Sequence, residues 1–125
     1  FAESELTMVN VWATYCNPCL SEMPELGELA GEYRSDEFQI IGIVSDVQEE
    51  SEAEAVEYAA MLVEQTGAAY PHLLLNESLF RSMLSGVSAV PTTFFVNEKG
   101  EVLDTVVGAM DKDSWKEKID GLLKE

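Results

Sequence analysis

Trp12-Ala13-Thr14-Tyr15-Cys16-Asn17-Pro18-Cys19 holds both cysteines of the 125-residue chain, three positions apart, where an apolar β-run hands over to a helical repeat. Thr7-Met8-Val9-Asn10-Val11-Trp12 reads as a buried strand, and Leu20, Met23, Leu26, Ala30 and Tyr33 then recur at helical spacing. Cys16 therefore falls at a helix N-terminus, where unpaired N–H groups and the helix dipole favour an anion such as a thiolate. Pro18 suits the first turn, because its missing N–H would have no intrahelical partner there.

Disulfide exchange needs an ionised sulfur to attack and a second sulfur near enough to resolve the mixed disulfide. A spacing of three puts Cys19 one turn behind Cys16, within bonding reach and facing inward. A free thiol titrates near about 8.5, and helix-start Cys-x-x-Cys sites lower the first cysteine to about 3.5–7.5. The competing readings are a structural disulfide or half of a zinc site. Zinc needs two more ligands at matching spacing, and His72, the chain's one histidine, falls in a distant strand; no metal is expected.

The stretch Val9-Asn10-Val11-Trp12-Ala13-Thr14-Tyr15-Cys16 resembles the active-site approach of the thioredoxin superfamily, within it the TlpA/ResA-like extracytoplasmic thiol-disulfide oxidoreductases. Tyr15 stands where that family usually has tryptophan. Val90-Pro91-Thr92-Thr93-Phe94-Phe95-Val96 resembles the family's cis-proline strand, Asn97-Glu98-Lys99-Gly100 its hairpin turn, and Gly108 the end of its second hairpin strand. The likeness runs from about residue 7 to the C-terminus. It implies a thioredoxin-like α/β fold, with a mixed central sheet flanked by helices on both faces and a TlpA-type helix–strand insertion over residues 46–84.

The implied activity is cofactor-free exchange of disulfides with protein clients through Cys16 and Cys19, as a reductant. An upstream membrane thiol donor would regenerate the dithiol, and family clients include apocytochrome c. Val90 and a cis Pro91 would hold a client's extended backbone beside the cysteines, with Asn17 and Pro18 shaping the turn, Trp12 as a wall of the site and Tyr15 as an exposed client contact. The family is extracytoplasmic. Phe1-Ala2-Glu3-Ser4 is no signal peptide, so an export signal or anchor is expected in a preceding segment. Two other activities share this fold. A thiol peroxidase would place its cysteine after a Pro-x-x-x-Thr/Ser-x-x approach, which Cys16 lacks. A copper chaperone would use Cys-x-x-x-Cys with a distal histidine, and His72 lies away from the expected loop.

Two carboxylates are acid–base candidates. Asp46 sits near the C-terminal end of the second strand, the edge where open α/β sheets place their sites; its plain alternative is capping the loop or helix that follows. Glu22 lies one turn beyond Cys19 and is expected to face water. Thioredoxin buries an aspartate on the strand before its cysteines, and this chain has Asn10 there, so that proton route is expected to be absent. A carboxylate beside Cys16 opposes its ionisation, which argues for a reductant or isomerase-like partner over a strong oxidant.

The chain is expected to form one domain over residues 1–125, monomeric and long enough to bury a core without metal. Residues 1–80 carry sixteen acidic side chains against one basic, Arg34, within a net charge of −17. Nucleic acid is excluded as a partner, since phosphate contacts need clustered Lys and Arg. Glu22, Glu25, Glu28 and Glu32 read as a solvated stripe on the first helix; the sharper reading is steering of a basic client. Strands are expected near residues 6–13, 38–44, 71–75, 92–97 and 101–107, and helices near 18–34, 50–66, 77–84 and 112–123. Met23, Met61 and Met83 read as core filling, and Trp115, Ile119 and Leu122 as the buried stripe of the last helix.

Overall fold

A computed structural model describes residues 4–48, 53–75, 86–87 and 89–123. Five strands, β1 (Leu6–Trp12), β2 (Phe38–Gln48), β3 (His72–Leu75), β4 (Thr92–Asn97) and β5 (Val102–Val107), form one mixed sheet in the order β3-β2-β1-β4-β5. Helix α1 (Asn17–Gly31) carries the chain between β1 and β2, which run parallel; α2 (Ala53–Thr66) does the same between β2 and β3. The turn Asn97-Glu98-Lys99-Gly100 joins β4 and β5 antiparallel, with Asn97 Oδ1 accepting from the backbone N–H of Lys99 and of Glu101 and Gly100 at positive φ. Helix α3 (Lys112–Leu123) closes the chain, its first turn capped by the Asp111 carboxylate on Ser114 N–H.

β1 is central, and all seven of its residues are buried. Alternation divides them between two faces. Leu6, Met8 and Trp12 join Phe38, Ile40, Val44 and Phe95 beneath the apolar sides of α1, α2 and α3, where Cys19, Met23, Leu26, Leu62, Trp115 and Ile119 are buried. Val9 and Val11 pack with Ile43 and Val96 on the other face, against Val87, Val90 and Phe94. The three described helices thus lie over one face, and the helix expected over 77–84, with Met83, falls outside the described residues.

Several sequence expectations shift. α1 stops at Gly31 rather than 34, so Tyr33 packs from the following turn, where its ring meets Phe38 at 5.0 Å and its hydroxyl donates to Asp120. β2 runs to Gln48, past the expected end at 44, and takes in Ser45, Asp46 and Val47; Ser45 Oγ, donating to Trp12 O, ties this extension to the end of β1. Met61 is on the outer side of α2, 42% exposed, and fills no core. Two glycines mark close approach. A Cβ on Gly27 would collide with Gly67 O after α2, and one on Gly42 would collide with the His72 ring.

Candidate functional site

Cys16 and Cys19 are joined by a disulfide, their Cα atoms 5.3 Å apart. Cys16 is the N-cap of α1, with extended backbone, and its Sγ accepts from Cys19 N–H at 3.2 Å. Its sulfur therefore occupies the place where a helix start offers unpaired donors. Cys19 is fully buried, whereas Cys16 keeps 6% exposure, so the small solvent-facing area of the pair belongs to Cys16. Tyr15, Asn17 and Pro18 around it are exposed, Tyr15 at 72%.

The strand ends hold this turn. Asp46 accepts from Thr14 N–H at 3.0 Å and from the Thr14 hydroxyl, so it braces the approach to Cys16 from β2; the segment its capping alternative concerns, 49–52, lies outside the described residues. Trp12, fully buried, donates from Nε1 to His72 Nδ1 at 3.1 Å, and His72 Nε2 lies 3.2 Å from Ala68 O. Those partners assign Nδ1 as acceptor and Nε2–H as donor, a neutral ring with a structural role. Burial pushes the His72 pKa down. The Val90–Pro91 peptide is cis; Pro91 is buried, and its carbonyl accepts from Gly108 N–H at 2.8 Å, with Gly108 at positive φ. Val90 packs against the core cluster that contains both cysteines.

Glu22 departs furthest from the sequence expectation. It is 3% exposed instead of solvated. One carboxylate oxygen, Oε1, accepts from Asn10 Nδ2 at 3.2 Å; the other, Oε2, accepts from Trp115 Nε1 at 3.1 Å and from Met110 N–H at 3.2 Å. Asn10 is also buried, and its Nδ2 donates in addition to Thr93 Oγ1 at 3.1 Å, the residue directly opposite it in the β1–β4 register. The strand before the cysteines thus lacks a carboxylate, as expected, but the core does not: α1 supplies one, held by β1, α3 and the loop before α3. Desolvation is the largest influence on Glu22 and pushes its pKa above the usual carboxylate value, with Glu25 adding to the rise, against the three hydrogen bonds. Sequence reasoning missed Trp115 and Met110 as its partners. The available signal was Trp115, whose indole N–H must find an acceptor once buried.

Among the described residues no cluster of three or more histidine, cysteine or carboxylate side chains could hold a metal ion. The 370 Å³ cavity lined by Glu5, Leu6, Asn97, Glu98, Leu103, Leu122 and Leu123 opens at the start of β1, the end of the sheet opposite the cysteines.

The profile of the family described as Redoxin matches residues 2–123. The thioredoxin-like protein YneN of Bacillus subtilis is 29% identical over 95% of this chain and 66% of its own length. The thiol-disulfide oxidoreductase ResA of Halalkalibacterium halodurans is 30% identical over 86% of this chain and 57% of its own, and the thiol:disulfide interchange protein HelX of Rhodobacter capsulatus 28% over 97% and 62%. The chain thus spans about three-fifths of the length of these relatives. Among solved structures, a thioredoxin family thiol:disulfide interchange protein from Chlorobium tepidum superposes with a TM-score of 0.80 at 24% identity, covering 98% of this chain and 82% of the other, which establishes the thioredoxin-like fold.

Proposed function

The chain belongs to the Redoxin family, and from that premise we propose that it is a thiol-disulfide oxidoreductase of the ResA/HelX kind, acting through Cys16 and Cys19. The observation that carries the proposal is the disulfide at the start of α1, with Cys16 Sγ at the N-cap and Cys19 buried beneath it. In the reduced state the Cys19 N–H that now faces Cys16 Sγ stabilises a thiolate, which attacks a client disulfide and forms a mixed disulfide. Cys19 then gives up its proton, displaces the reduced client and closes the Cys16–Cys19 bond; the client takes up two electrons and two protons. The names of the relatives and the Cys-x-x-Cys context support this reading over peroxide reduction or copper binding.

The remaining roles follow from position. Cys19 and Glu22 stand three apart on one side of α1, and Glu22 is the group whose raised pKa suits it to accept the Cys19 proton. Asp46 acts on the site by holding Thr14, hence the turn that presents Tyr15 and Cys16. The Val90–Pro91 backbone offers a client an edge for extended pairing, with Tyr15 as a contact. The direction is reductive, because the surrounding negative charge works against the acidic thiolate of a strong oxidant. The resemblance to TlpA/ResA-like proteins extends the proposal to an extracytoplasmic site of action, an upstream membrane thiol donor and exported clients such as apocytochrome c.

Insulin reduction driven by a thiol donor tests the activity. Cys16→Ser is expected to lose it, and Cys19→Ala to accumulate a covalent client adduct on Cys16; full activity in Cys16→Ser sinks the assignment. A reduction potential near that of DsbA, about −120 mV, would reverse the direction.

A further inference from the structure

The two oxygens of Glu22 are not equivalent. Oε2 faces two N–H groups, the Met110 backbone and the Trp115 indole, neither of which can accept a hydrogen bond. A proton placed on Oε2 would meet two donors, so Oε2 stays an acceptor whatever the charge of the group. The proton must sit on Oε1, whose partner is Asn10 Nδ2. Nδ2 is a donor as well, yet the amide carries an acceptor of the same size, and Asn10 Oδ1 is buried with no hydrogen-bond partner among the described residues. The other neighbour of Nδ2, Thr93 Oγ1, is a hydroxyl that can accept or donate.

We propose that Asn10 is a positioning residue whose amide turns with the protonation of Glu22. Nδ2 donates to the carboxylate and to Thr93; after half a turn about χ2, Oδ1 accepts the O–H of the carboxylic acid and the hydroxyl of Thr93. The turn exchanges two atoms of nearly equal size, so the packed core does not have to open. It answers the difficulty of a buried carboxyl that must exist in two charge states, since each state then meets partners of the right sense. A buried aspartate at position 10 would instead set two carboxylates face to face. Among the described residues the titratable groups near Glu22 are Glu25 and, once reduced, Cys19 on α1, and the phenol of Tyr70 from the segment between α2 and β3; β1, β4 and α3 present the neutral Asn10, Thr93 and Trp115. The inference rests on the proposal that Glu22 exchanges a proton with Cys19.

Isotope-labelled protein in the disulfide form tests it by NMR without any thiol chemistry. The probes are the Glu22 side-chain carboxyl carbon and the nuclear Overhauser contacts from the Asn10 Nδ2 protons to Thr93, followed from about pH 4 to 9. The contacts are expected above the Glu22 midpoint and lost below it, with one midpoint for both probes. In Glu22→Gln the side-chain oxygen faces Met110 and Trp115 and its NH2 faces Asn10, so the Thr93 contacts are expected to be absent at every pH. Contacts that persist through the Glu22 titration, a Glu22 that does not titrate in this range, or contacts retained in Glu22→Gln overturn the inference. Insulin reduction judges the oxidoreductase proposal separately: an active protein with a fixed Asn10 amide sinks this inference alone.

Discussion

Glu22, buried where β1, α1 and α3 meet, carries the proton transfer proposed above and also ties stability to pH. Its folded pKa is raised above the ordinary 4.5, so its protonated form favours the fold and that contribution is fully present below 4.5. It is lost as pH rises through the folded value, because the unfolded chain then releases the proton more readily. Glu22→Gln is neutral throughout. Wild-type stability is therefore expected to fall relative to Glu22→Gln as pH climbs above 4.5, read from denaturant midpoints at several pH values; parallel curves would refute it. The same substitution is expected to slow disulfide exchange by roughly 10²-fold, the lower range for one acid–base group, in stopped-flow measurements with a model disulfide.

At the level of elements, the β1–β2–β3 side of the sheet is organised around the row Asn10, Gly42 and His72, with Trp12 reaching over Gly42 to the imidazole. Gly42 has no Cβ in the space where Trp12 Nε1 and the His72 ring meet. Gly42→Ala is expected to cost about 1–3 kcal/mol by overpacking, seen in chemical denaturation, and a value within error of wild type would show that the row can spread. His72→Phe keeps ring volume but leaves the Trp12 N–H unpaired in the core, a loss of roughly 1–3 kcal/mol. It also removes a proton linkage opposite in sign to that of Glu22. The His72 pKa is depressed below its ordinary 6.5, so the neutral ring's contribution is present above 6.5 and lost as pH falls through the folded value. His72→Phe is expected to flatten the acid limb of the stability profile beneath 6.5; an unchanged limb would assign that sensitivity elsewhere.

Across the whole molecule, the sixteen acidic side chains of residues 1–80 against one basic give the part of the chain that carries the cysteines a strongly negative field. Basic residues are gathered near the C-terminus, where Lys112 and Lys116 pair with Glu32, Lys112 also with Glu28, and Lys118 with Asp104. These pairs fasten α3 to α1 and β5, and none of them involves a residue of the redox turn. Exchange with a Lys- or Arg-rich disulfide peptide is expected to slow steeply with added salt, as the Debye length shrinks to about 8 Å at physiological ionic strength, while a neutral peptide shows little change. Equal salt responses for the two peptides would reduce the acidic excess to a solubility device.

The strands, the crossover that makes β1 and β2 parallel, the hairpin, and the pairing of Cys16 with Cys19 at a helix start are all legible in the residues. Each is written in local terms: apolar runs of strand length, a turn between them, a spacing of three. The end of β2 was less legible, because Ser45 and Asp46 are polar and only their bonds to Trp12 O and Thr14 draw them into the strand. Glu22 was misread for a related reason. Its spacing with Glu25, Glu28 and Glu32 fits a solvated stripe, and nothing near it in the chain announces Trp115, ninety-three residues on, or Asn10 across the core. That this carboxylate turns inward is a consequence of packing, because burying a charge is tolerable where several donors converge on it, and those donors meet only when β1, α1 and α3 are packed together.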